Sequence, residues 1–288
     1  MRQFPNYIIL IVMNSLVSII IPCYNKAQYL GESLDSVAEQ TYPNIEVIVV
    51  DDGSPDNTKE VVDRYMQQMD NLHYLHQQNQ GPSAARNNGI RSSHGKYVMA
   101  LDADDKLAPT YVEKCVGYLG GHPEVKLVYS KADMFGQYNQ SWDLQEYSHY
   151  ELLWQNMVNY CAMYRRTDFD LTPGYNTNMV KGLEDWDFWL TFLKPEDKVH
   201  RIDEVLFHWR TQPVSRTTDA EENEHALMRQ IYLNHKELYE PYLQDIIFFH
   251  EKWKVTEVQF AKAQQSKAYR MGKKLIRPLA WFKSKLKC

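Results

Sequence analysis

The chain has 288 residues, 44% hydrophobic and 13% aromatic, with a formal net charge of −5. That length and composition suit one packed domain, or a domain with an appendage, and exclude a chain disordered over most of its length. The charge is uneven: residues 262–288 carry nine Lys or Arg and no Asp or Glu, which leaves the first 261 residues at −14 and argues against a nucleic-acid binder. In chain order, Leu16–Ile21 is a predicted strand and Ala27–Gln40 an amphipathic helix with Leu30, Leu34 and Val37 on one face. Ile45–Val50 is the second strand, and Asp56–Met69 the second helix with Asp56 as its N-cap. Leu72–Leu75 is a short strand, Pro82–Ser93 a helix with Pro near its first turn, and Tyr97–Leu101 a strand. Pro109–Leu119 is predicted helical up to Gly120-Gly121, and Val125–Tyr129 is a further strand. Such alternation implies a mostly parallel sheet covered on both faces. Beyond Ser130 the pattern loosens: residues 132–160 are rich in Tyr, Trp, Gln and Asn without clear periodicity. A strand-like Ala162–Arg165 leads to a helix near Glu184, Val199–Trp209 holds one or two strands, and Asp219–Tyr239 and Ile246–Lys285 read as helical.

Both ends and the cysteines constrain the setting. Tyr7–Met13 is an apolar run behind Arg2, too short for a membrane span and followed by no small-residue cleavage pattern. Residues 1–12 are therefore read as an upstream extension, with Met13 as the natural start. Cys23, Cys115, Cys161 and Cys288 are scattered, without zinc-type spacing, and read as reduced thiols of a cytosolic protein.

The chemistry gathers at two acidic clusters, Asp51-Asp52 and Asp102-Ala103-Asp104-Asp105, each directly behind an apolar β-branched run. Both are expected where buried parallel strands end, the edge at which open α/β sheets bind ligands. Carboxylates gathered there repel one another unless a cation or a donor-rich ligand neutralises them. A divalent metal carrying a diphosphate, with a nucleoside nearby, satisfies that requirement, and the chain reads as a nucleotide-sugar enzyme.

Five segments then resemble one family in order and spacing: Val17–Asn25, Val49–Ser54, Gly81–Asn87, Asp102–Asp105 and Glu184–Trp189. Together they make the chain similar to inverting glycosyltransferases of family 2 with the GT-A fold, over about residues 16–215. The resemblance implies a single α/β, Rossmann-like GT-A domain with a mostly parallel central sheet, plus a C-terminal helical extension. Residues 1–15 form the N-terminal extension, 16–130 the nucleotide-sugar half, 131–218 the acceptor half with the catalytic base, and 219–288 the helical region.

It also implies roles. The turn Pro22, Tyr24 and Asn25 would hold the base, with Tyr24 stacked on it; taken alone, the same turn reads as a strand end with a packed Tyr. Asp52 would accept from the uracil N3–H, a task open to Asp51 too, which could instead cap the Gly53-Ser54 turn. Arg86, behind Gly81, would contact base or phosphate, or lie on a solvated helix face. Lys26 could also reach the nucleotide. Asp102 and Asp104 share a side at alternate positions, and oxygen ligands of this kind suit Mn²⁺ or Mg²⁺. Asp104 is the expected direct ligand, Asp102 a contact to ribose or donor sugar, and Asp105 either a support behind the ligands or a spare ligand. Asp185 is the expected general base, ahead of Glu184, although an acidic helix start has the same sequence. Arg210 could touch the diphosphate, and His208 could join the metal or merely pack.

Lys262, Lys267, Arg270, Lys273, Lys274, Arg277, Lys283, Lys285 and Lys287 alternate with apolar and aromatic residues, interrupted at Pro278. This reads as a membrane-surface anchor, or as a solvated helix between copies of the chain or a disordered end. The expected setting is therefore cytoplasmic, at the inner face of the cell membrane. The expected reaction moves a sugar from a UDP-sugar to a hydroxyl of a glycan or lipid-linked acceptor in surface polysaccharide assembly. A nucleotidyltransferase is disfavoured because Pro22–Asn25 stands where its Gly-rich loop would be. A processive synthase is disfavoured by the lack of membrane helices and of a Gln-x-x-Arg-Trp element. A non-catalytic nucleotide-binding scaffold is the competing class.

Overall fold

Long β-branched runs dictate the centre of the sheet. Val17–Cys23 (β1) and Ile45–Asp51 (β2) are buried on both faces along almost their whole length, as parallel strands covered from both sides must be. The computed structural model describes residues 14–142, 145–213, 220 and 223–242, with the isolated positions 259 and 262. In it β1 and β2 pair in parallel, Val17 opposite Ile45 and Cys23 opposite Asp51. Leu72–His76 (β3) extends the sheet beside β2, and Tyr97–Ala100 (β4) beside β1, both parallel. The remaining strands are Lys106–Leu107 (β5), Val125–Gly136 (β6), Gln140–Trp142 (β7), Met163–Arg165 (β8) and Lys198–Thr211 (β9). Among the described residues they form one sheet in the order β3-β2-β1-β4-β8-β6-β9-β5, with β7 paired to β6. β8 runs antiparallel to both β4 and β6, whereas β6 and β9 are parallel to each other. The sheet is mostly parallel, as expected.

The helices of the described residues are Ala27–Ala38 (α1), Thr58–Met66 (α2), Pro82–Ser92 (α3), Tyr111–Gly121 (α4), His149–Leu152 (α5), Arg166–Phe169 (α6), Glu184–Phe192 (α7), Glu224–Asn234 (α8) and Lys236–Tyr239 (α9). The predicted face of α1, Leu30, Leu34 and Val37, is buried. α3 lies directly on the sheet because Gly89 has no side chain: a Cβ there would come within 2.4 Å of Ile20 Cγ2 and 3.0 Å of Val50 Cγ2.

Several boundaries differ from expectation for physical reasons. Asp56 is not the N-cap of α2, a position held by Asn57. Its Oδ2 instead accepts from the backbone N of Ala27, at the start of α1, at 2.9 Å, while Oδ1 accepts from Thr58 N at 3.2 Å. One carboxylate thus serves two helix starts. β6 runs seven residues past the predicted Tyr129 because β9 continues beside it, through bulges, as far as Gly136 and Thr211. Val199–Trp209 is accordingly one long strand.

The helix expected over 219–239 breaks at His235, whose ring turns inward. Asp187, on α7, is fully buried; its Oδ1 pairs with Asn234 Nδ2 at 2.6 Å and His235 Nε2 at 3.0 Å, and its Oδ2 accepts from Asn176 Nδ2 at 2.6 Å. The chain divides into a compact unit that runs through His235 and a second that spans Lys236–Cys288. Apart from the isolated positions 259 and 262, the helix expected over 246–285 and the basic tail lie outside the described residues, as does the upstream extension of residues 1–12. Among the described residues no helix is long and apolar enough to cross a membrane.

Asp187→Ala strands three inward-facing donors at once. It is expected to cost about 2–4 kcal/mol, read as a lower midpoint in urea unfolding.

Candidate active site

The carboxyl ends of β1, β2 and β4 lie side by side, so three loops meet at one edge. Pro22, next to last in β1, lies beyond the pairing with β4, where its missing N–H is not needed. Asn25 takes the left-handed conformation, φ 53°, and donates from its backbone to Ser54 Oγ at 3.2 Å. Between them Tyr24 is 49% exposed, a free aromatic face at the mouth of the site.

The paired carboxylates of β2 divide their work. Asp51 Oδ1 accepts from Ser54 N at 2.8 Å and its Oδ2 from Tyr74 Oη at 2.6 Å, so Asp51 caps the turn. Asp52 faces the next loop: Oδ1 accepts from Gln77 Nε2 at 2.7 Å and Gln80 N at 2.8 Å, and Oδ2 from Gly81 N at 2.8 Å. Asp52 is only 3% exposed, and a contact to a base must use the one lone-pair direction those bonds leave.

After β4 the chain turns through Asp102–Asp105, with Asp105 N bonded to Asp102 O at 3.0 Å. Asp104 has drawn in a cation: Lys26 Nζ is 2.7 Å from its Oδ2, which also accepts from the Gln212 amide. Lys26 thus reaches the acidic turn, and Gln212, unmarked in the sequence, joins it. Asp105 is no spare ligand. It is buried, it accepts from Tyr160 Oη and from Arg210 N at 2.6 Å, and burial with its two acidic neighbours pushes its carboxyl well above the usual range.

Arg210 closes this turn. Its Nε donates to Asp104 O at 2.8 Å, its Nη2 lies 2.8 Å from Glu32 Oε2, and its guanidinium is stacked between Tyr29 and Phe135 at 4.6 and 4.4 Å. His208 is directed elsewhere, its Nδ1 2.6 Å from Asp133 Oδ1 on the neighbouring strand. In this structure His208 pairs within the sheet and does not reach the acidic turn.

Arg86 joins the two halves of the site. It is 2% exposed, which removes the reading as a solvated helix-face residue. Nη2 is 2.7 Å from Asp102 Oδ1 and Nη1 is 2.8 Å from Glu184 Oε1, with the rings of Tyr160 and Tyr175 on either side at 5.5 and 5.6 Å. Burial opposes the charge, but the two carboxylates hold the guanidinium ionised. The next residue, Asn87, binds the backbone of Tyr175 in both directions, Nδ2 to Tyr175 O and Oδ1 from Tyr175 N, each at 2.8 Å.

Leu183, the N-cap of α7, is left-handed at φ 58°, a strained conformation for a branched side chain. It lifts Glu184 and Asp185 onto the first turn. Asp185 is partly exposed beside the buried Glu184, and Asn156 Nδ2 donates to its Oδ2 at 2.7 Å. Burial first, and then the charge of Glu184, push the Asp185 carboxyl up to about 6, against the pull of Arg86, the Trp186 amide and Asn156. Tyr160, Tyr175, Asn156 and Gln212 carry no motif of their own; only Asn87 lay inside one of the five segments.

Among the described residues no three His, Cys, Asp or Glu converge as a metal cluster. The acidic turn still fits a hard cation, since Asp104 already pairs with an ammonium group and keeps a side chain 16% exposed.

Arg86→Ala leaves two carboxylates facing each other across a desolvated gap and is expected to cost about 2–4 kcal/mol in chemical denaturation. Arg86→Lys offers a point charge in place of a fork and is expected to recover less than half of that loss.

Comparison with known proteins shows the family. The profile of Glycosyl transferase family 2 matches residues 18–179, more than half of the chain. An uncharacterized glycosyltransferase of Rickettsia typhi, RT0329, is 32% identical over 224 residues, covering 74% of this chain and 67% of that protein. Glycosyltransferase GlyG of Streptococcus pneumoniae is 42% identical over 102 residues, and the match spans only 34% of its length. A crystallised fragment of S. aureus TarS in complex with UDP superposes with a TM-score of 0.61 at 23% identity, covering 76% of this chain and 64% of the fragment. With its fold, its strand-end carboxylates and this sequence match in agreement, the chain belongs to glycosyl transferase family 2.

Proposed function

We propose that this protein transfers a sugar from a UDP-sugar to a hydroxyl of a glycan or lipid-linked acceptor, with inversion and with a divalent metal. The observation that carries the reading is the shared edge of Asp102, Asp104 and Asp185. Two carboxylates are disposed for a metal-diphosphate, and a third, held near pKa 6, stands across Arg86 from them.

Tyr24 offers its open face to the base, and Asp52 its remaining acceptor direction to a base N–H. Asp104 would hold Mn²⁺ or Mg²⁺, taking the place Lys26 now fills, and Asp102 would meet the ribose or the sugar. Held there, such a metal would supply positive charge to offset that of the departing diphosphate. Arg210, tied to Asp104 O and Glu32, keeps that turn in place and adds positive charge beside it. Asp185 takes the acceptor's proton as its oxygen forms the new bond to C1. The bond from C1 to the UDP oxygen breaks on the opposite face, UDP leaves with that electron pair, and the configuration inverts. The TarS fragment crystallised with UDP supports the choice of nucleotide. Placement at a membrane rests on the basic tail alone.

The test is UDP release with Mn²⁺ over a panel of UDP-sugars, with and without EDTA. One donor should be hydrolysed slowly in a metal-dependent manner, and Asp104→Ala should abolish both turnover and metal-dependent UDP binding. Asp185→Asn should lower turnover by about 10²–10⁴-fold and leave UDP binding intact. Because the base must be ionised, the rate should fall about tenfold per pH unit below about pH 6 and level off above it. No metal-dependent UDP binding in the wild type would replace this reading with the scaffold.

A further inference from the structure

The end of α5 and the loop that runs from it to β8 are fastened to α7 at three points. Trp186 Nε1 donates to Leu152 O at 2.6 Å and Trp189 Nε1 donates to Val158 O at 3.1 Å, so two indoles of one helix grip the loop on either side of Asn156. Between those grips Asn156 Nδ2 meets Asp185 Oδ2 at 2.7 Å. The amide cannot easily turn over, because Asn156 Oδ1 accepts from Val158 N at 3.3 Å and this fixes which end carries the NH₂. Around it Leu152, Leu153, Met157 and Val158 are buried. Among the described residues Asn156 is the only side chain that donates to Asp185.

We propose that Asn156 is a positioning residue for the proton-accepting step: its amide holds Asp185 by Oδ2 and leaves the other oxygen to take the proton of the acceptor hydroxyl. This deepens the reading of Asp185 as the base and rests on it. The aromatic pair in the Glu184–Trp189 segment then acts beyond packing, because it sets the register between the loop that carries Asn156 and the helix that carries Asp185.

The amide does two things to the base. It fixes the carboxylate torsion, which is broad for Asp when nothing binds it. It also stabilises the ionised form against burial and the neighbouring negative charge. The charged and titratable groups facing Asp185 are Glu184 and Arg86, bound to each other, and the Tyr175 hydroxyl. Asn156 adds a neutral donor that favours the anion without cancelling its charge, so the carboxylate stays basic.

The test is the pH profile of kcat and KM with the hydrolysed UDP-sugar, for wild type, Asn156→Ala, Asn156→Asp and Asp185→Asn, each checked by thermal melting. Asn156→Ala should move the acid limb of kcat up by about one pH unit, lower kcat by roughly threefold near pH 6.5 and by close to tenfold near pH 5, and regain most of it by pH 8.5. Its KM for the donor should stay within about twofold of wild type. Asn156→Asp, isosteric but acidic, should move the limb further in the same direction, and it carries the test if the alanine variant does not fold. A limb that stays at the wild-type pH in both variants overturns the proposal, whether kcat is unchanged or falls equally at every pH. Should Asp185→Asn turn over like the wild type, it is the base assignment itself that fails.

Discussion

A single buried guanidinium organises this molecule's chemistry. Arg86 sits under the sheet edge with one nitrogen on Asp102 and another on Glu184, between two tyrosine rings. The two carboxylates come from opposite halves of the chain, the turn after β4 and the first turn of α7. Without the cation, each would face the other in a medium that screens charge poorly. Only a side chain with fixed, divergent donors can satisfy both, so arginine is required there and lysine is not equivalent.

Around that bridge the site is arranged by pinning. Asn87, one residue along α3, binds both backbone groups of Tyr175 and so draws the loop before α7 against the same helix. Asp187 performs the matching task on the far side of α7, gathering Asn176, Asn234 and His235. The strained Leu183 lies between these two anchors, and they hold it in its left-handed conformation. The strain is concentrated at the turn that carries Asp185, and the cost is met by interactions a turn or more away.

The acidic turn follows a different logic. Its three carboxylates have three fates: Asp102 is neutralised by Arg86, Asp104 by Lys26, and Asp105 by burial beside a tyrosine hydroxyl and a backbone amide. Of the three, Asp104 alone keeps a replaceable partner, since a lysine ammonium on a flexible stem is readily displaced. The proposed metal ligand is therefore the part of the turn held least tightly.

Much of this was legible in the chain itself. Mainly apolar runs, β-branched in β1 and β2, marked β1, β2 and β4, because parallel strands buried on both faces need apolar residues at most positions, and the carboxylates directly behind them had to fall at one edge. The apolar stripe of α1 and the acidic start of α7 followed from periodicity and motif. Pairing across long separations was not legible. That Arg86 meets Glu184, that Asn156 meets Asp185, and that His208 meets Asp133 depends on the insertion of β8 between β4 and β6 and on the bulged register of β6 with β9. Asn156 lies in a stretch without periodicity, and an asparagine outside a motif carries no local signal of the carboxylate it will face. The sequence by itself determined which groups reach the edge, since strand burial and chain direction are local properties. Only the tertiary structure decided which of them are paired, buried or left open, because that depends on distances between segments that no local pattern encodes.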